Sequence, residues 1–134
     1  MIDQKTAPYA ALALRLALGV MFIAHALLKI FVFTLPGAAG FFASQGFPGW
    51  SVYPVTGLEI IGGAMLILGV YSRWVAVAVL PLLLGVISVH AGNGWVFNAP
   101  NGGWEYPAFL IVSAFALLLL GDGALALSPA IKRR

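Results

Sequence analysis

Four apolar runs, each close to the length needed to cross a bilayer, are separated by short segments that hold most of the glycine, proline and charge. This pattern limits the chain more than any motif does. Of 134 residues, 62% are hydrophobic and 8% charged, too little polar surface to cover a soluble domain. The expected fold is all-α, an integral membrane four-helix bundle, because a spanning segment must satisfy its own backbone hydrogen bonds and takes about 20 residues. No length is left for a separate soluble domain.

The runs fall at about 8–35, 52–70, 74–91 and 105–127 of a single transmembrane domain covering 1–134. Pro8, Pro54 and Pro107 each stand in the first turn of a run, where the missing N–H costs nothing. Ser72 is the expected N-cap of the third run, and Pro81 is expected to kink it. Gly121-Asp122-Gly123 offers the fourth an early stop. The first six residues carry neither the basic stretch nor the cleavage site of a signal peptide, so the first run is expected to persist as a helix.

Four spans put both termini on one side. Lys5, Arg73, Lys132, Arg133 and Arg134 gather with the termini and the middle turn, so the positive-inside rule makes that side cytoplasmic, N-in and C-in. The localisation expected is a bacterial inner membrane. Loops 36–51 and 92–104 then face outward. Residues 38–45 are expected to form a short interfacial helix, and Trp50, Trp95 and Trp104 suit a membrane-surface belt.

The chain has no cysteine, which excludes thiolate catalysis, disulfide relay and iron–sulfur clusters. The net charge of +3 has no basic stripe with interleaved aromatics beside it. Lipid headgroups are therefore the expected partner, and nucleic acid is not.

Ionisable residues inside apolar runs are expensive and by default functional. At about 1.5 Å rise per residue, His25, Glu59 and His90 come out about 20–24 Å from the cytoplasmic edge. Lys29 and Glu105 lie nearer the outer surface, with Trp104 and Tyr106 beside them. Arg15 and Asp122 fall together near the cytoplasmic edge and are read as a structural ion pair. The outer layer admits several readings. A polar network fixing helix register is one. A quinone or phenolic headgroup is another, with His25 or Lys29 donating to it, Glu59 exchanging a proton and Trp95, Trp104 and Tyr106 as flat walls. A metal on His25, Glu59 and His90 or haem between His25 and His90 are further ones.

Several runs of residues resemble the DoxX family of small four-helix membrane proteins. They are 15–29, which ends in His25-Ala26-Leu27-Leu28-Lys29; Gly40-Phe41-Phe42-Ala43-Ser44-Gln45-Gly46-Phe47-Pro48; Leu58-Glu59-Ile60-Ile61-Gly62-Gly63; Gly69-Val70-Tyr71-Ser72-Arg73; and Gly102-Gly103-Trp104-Glu105-Tyr106-Pro107. Ala26 stands where relatives often carry glycine. The resemblance implies a bacterial inner-membrane protein linked to thiosulfate:quinone oxidoreductase subunits or to stress-related redox complexes. It places a quinone-linked role on His25, Lys29, Glu59 and Glu105. The partners it implies are a redox protein and further copies of the chain. Two other classes stay open: a transporter of a small solute or proton, against which the apolar residues between the two polar layers argue, and a non-catalytic assembly or anchoring subunit.

Overall fold

A computed structural model describes residues 1–128, all-α with several apolar membrane-spanning helices. Lys132, Arg133 and Arg134, used above to orient the chain, lie outside the described residues. Helix α1 (Ala7–Leu27) begins with Pro8 in its first turn and continues as a π-helical turn, Leu28–Val32. Thr34 then breaks the path with φ 62° and ψ 153°, and its hydroxyl accepts the Gly37 N–H at 3.2 Å to start α2 (Leu35–Ser44). The short helix expected at 38–45 is therefore present and begins earlier, on Leu35-Pro36.

A 3₁₀ turn, Gly49–Ser51, leads into α3 (Val52–Leu68). Gly69 ends it in the left-handed region, with the Val70 N–H on Met65 O and the Gly69 N–H on Leu66 O, the Schellman arrangement that glycine permits. Helix α4 (Ser72–His90) follows and contains Pro81. Here the expectation for Ser72 is corrected. It is the first helical residue, and its backbone N–H is capped by Asp122 Oδ1 at 2.9 Å, from a residue far along the chain. A distant carboxylate, better placed than a local hydroxyl, satisfies that terminal donor.

Helix α5 (Glu105–Leu120) stops short of 127 because Gly121, at φ 83°, turns the chain back. Residues 121–128 then stitch the other elements together. The Ala124 N–H donates to Pro8 O, Leu127 N–H to Leu68 O and Ser128 N–H to Gly69 O, while Ser128 Oγ accepts the Tyr71 N–H.

Helix α1 packs on α3 and α5, and α4 packs on α5 and α3. Between them Leu18, Phe22, Leu66, Val79, Leu83, Leu110 and Leu117 form the core. The closest approach is α1 to α3, where a methyl group added at Gly63 would lie 2.8 Å from Gly19 O. Large apolar side chains also cover the outside, among them Val20, Ile61, Leu84, Phe109, Val112 and Leu119. Apolar residues on both faces suit a multi-pass membrane protein. Helix α1 with its π turn, α3 with the 3₁₀ turn before it, and α4 with the 3₁₀ turn after it are long and apolar enough to cross; α5 is apolar and shorter.

Candidate functional site

The charged residues of the outer half are carried by the π turn and by α3. The π turn takes an extra residue into its hydrogen-bonded ring, a distortion that recurs at functional sites, and it holds Lys29. The Lys29 ammonium forms an ion pair with Glu59 Oε1 and sits 5.9 Å from the centroid of the Phe42 ring on α2. Both partners are well covered, with side chains 15% and 4% exposed. The second carboxylate oxygen, Glu59 Oε2, is buried and has no hydrogen-bond partner. Buried polar groups are nearly always satisfied, so this one needs an explanation.

Beside it is a cavity of about 310 Å³, at the small end of the range for ligand pockets. Lys29, Glu59 and His90 supply charge or titratable groups, Gln45 and Ser51 are polar, and Phe41, Phe42, Phe47, Val55, Pro81, Leu82 and Val89 form apolar walls. His90 ends α4, and its Nδ1 is 3.1 Å from Asn101 O and 3.2 Å from Gly102 O. Asn93 Nδ2 donates to the same two carbonyls, so the outer loop holds the ring in place.

The structure thus brings Lys29, Glu59 and His90 to one cavity and places the other expected residues elsewhere. His25, half-buried, meets Tyr106 edge-on at 6.2 Å, and the Tyr106 hydroxyl contacts Met21 Sδ. Glu105 Oε1 accepts the Phe97 N–H at 3.0 Å and so steadies the outer loop. Trp104 packs edge-on against Trp95, centroids 4.4 Å apart. None of these five lines the cavity. Among the described residues no three His, Asp or Glu side chains gather in a metal-holding group, so the His25–Glu59–His90 ligand set is not assembled.

The aromatic walls missed by the sequence reading come from α2 and the turn after it. Their signal was the Phe41-Phe42 pair within the expected short helix, which a surface-lying helix explained equally well.

At the opposite end Arg15 is fully buried. Its guanidinium donates to Leu66 O and Ala124 O, and Asp122 lies close enough to act on it electrostatically while capping Ser72. A shallow groove bordered by Arg73, Trp74, Leu118 and Asp122 lies at this end. Arg73 there donates to Leu119 O.

The chain matches the DoxX family model over residues 10–92. It is 31% identical over 126 residues to the Bacillus subtilis (strain 168) protein named "Putative oxidoreductase CatD", covering 93% of this chain and 89% of that one. No solved structure matches it.

Proposed function

The chain belongs to the DoxX family, and from that premise we propose that it is the membrane subunit of a quinone-linked or stress-related redox system of the bacterial inner membrane. In this reading α1, α3, α4 and α5 all span, both termini are cytoplasmic, and the cavity opens toward the outer face. The bound molecule is a quinone or a related small ring compound. Its ring lies among Phe41, Phe42 and Phe47, and its oxygen meets the Lys29–Glu59 pair. A redox partner protein docks on the outer loops, where Trp50, Trp95 and Phe97 are exposed.

One observation carries the reading: a buried ion pair with an unmet carboxylate oxygen borders an aromatic-walled cavity. Lys29 is the one fixed cation among the lining residues and Glu59 neutralises it, which favours an uncharged ligand over an inorganic anion. The packed core of Leu18, Phe22, Leu66, Val79 and Leu117 lies between this end and Arg15. A wet path through the bundle is not favoured by such filling, which argues for a binding pocket over a transport route.

The test is binding of a short-chain quinone and its quinol to the purified chain, followed by tryptophan fluorescence. Gly85→Phe, which fills the cavity next to Phe47, is expected to abolish it; a wild-type chain that binds neither compound removes the reading. Orientation is tested separately. With no native cysteine, Asn98→Cys should label from outside intact cells and Thr6→Cys only after permeabilisation.

A further inference from the structure

Resting on the cavity as a quinone-type site, we infer that it is built for the reduced, hydroxyl-bearing form of its ligand and discriminates against the oxidised, carbonyl form. The orphaned Glu59 Oε2 carries this selectivity. An ionised carboxylate only accepts hydrogen bonds, and the donor from Lys29 is already on Oε1. A ligand hydroxyl can donate to Oε2 while accepting from Lys29 Nζ. A quinone carbonyl has no proton to give; beside Oε2 it sets one acceptor against another and leaves the carboxylate oxygen unmet. Sites that hold an unmet polar group reject analogues lacking its complement far more strongly than apolar walls distinguish shapes.

The rest of the lining has the same bias. Asn101 O and Gly102 O are acceptors, so the neutral His90 ring carries its proton on Nδ1, which faces them, and Nε2 is left as an acceptor. Ser51 Oγ spends its proton on Pro48 O, and only its lone pairs remain. Gln45 can donate or accept. Lys29 is thus the one obligate donor in a space that offers acceptors on Glu59, His90 and Ser51, which suits a ring bearing two hydroxyl groups.

The experiment compares three probes on the full chain in detergent under anaerobic conditions: tetramethylhydroquinone, tetramethylbenzoquinone and the hydroquinone's dimethyl ether. Wild type should bind the hydroquinone at least about tenfold more tightly than the quinone, with the ether no tighter than the quinone, the size set by leaving a buried acceptor unmet. Glu59→Gln, which offers an N–H where Oε2 stood, should shrink or invert that ratio; if this variant fails to fold, the wild-type comparison with the ether still decides. Quinone binding as tight as hydroquinone, lost in Gly85→Phe, overturns the redox-state selectivity and leaves the quinone-type site standing. Absence of binding by all three probes overturns both.

Discussion

The two ends of the helical assembly handle buried charge in different ways. At the inner end Arg15 is enclosed by protein: its guanidinium rests on the Leu66 and Ala124 carbonyls, and the 121–128 segment is tied to α1, to the end of α3 and to the turn before α4. At the outer end the Lys29–Glu59 pair is nearly as well covered, yet it faces a cavity. Each end keeps one unmet polar atom, Arg15 Nε and Glu59 Oε2. What adjoins that atom separates the two. Gly69 is packed so closely on Arg15 that an added methyl group would collide with it, whereas Glu59 borders space in which a ligand can sit. Buried charge beside packed protein fixes structure; beside a cavity it is available for binding.

The largest effect expected from this contrast is at Arg15. Arg15→Met removes the donors of two carbonyls and should lower stability by about 3–5 kcal/mol, seen as loss of monodisperse protein or a large fall in Tm in detergent. Arg15→Lys should rescue little, since a single ammonium cannot reach both acceptors. A stable Arg15→Met chain would break the contrast. Next comes the outer pair. Lys29→Met leaves Glu59 buried without a counter-charge and should cost about 2 kcal/mol, and adding Glu59→Leu should restore most of it. A double-mutant cycle on Tm or denaturant midpoint measures the coupling. If the double variant stays as unstable as the single, the outer pair is also structural.

A smaller effect is expected between the ends. Gly63→Ala pushes α1 from α3 at Gly19 and Ile23 and should cost about 1–2 kcal/mol by overpacking, lowering Tm and weakening cavity binding through the shifted pair. The smallest concerns His90→Ala, which should move stability by less than about 1 kcal/mol while lowering ligand affinity. Equal loss of both would assign His90 to the loop alone.

Much of the fold was legible because membrane-length apolar runs and their punctuation by Pro8, Gly69 and Gly121 act locally. The same holds for the cost of Arg15, Lys29 and Glu59, which depends on burial in an apolar run. The site was legible only in part. His25 and Lys29, four residues apart, suggested a common target, but the helix passes into a π turn between them, and they meet Tyr106 and Glu59 respectively. Glu105 was given a site role and instead holds the Phe97 N–H. Depth along a helix follows from rise per residue; rotation about its axis does not.

The sequence by itself determined the class of molecule, its helices and the few positions where charge lies in apolar surroundings. Tertiary structure alone decided that Lys29 finds Glu59, that Asp122 caps Ser72, and that Phe41, Phe42 and His90 share a cavity with that pair. The reason is physical. In a helix apolar on both its lipid and its interior face, little in the residue pattern says which side turns inward, so long-range contacts set the rotation, and with it the partner of each charge.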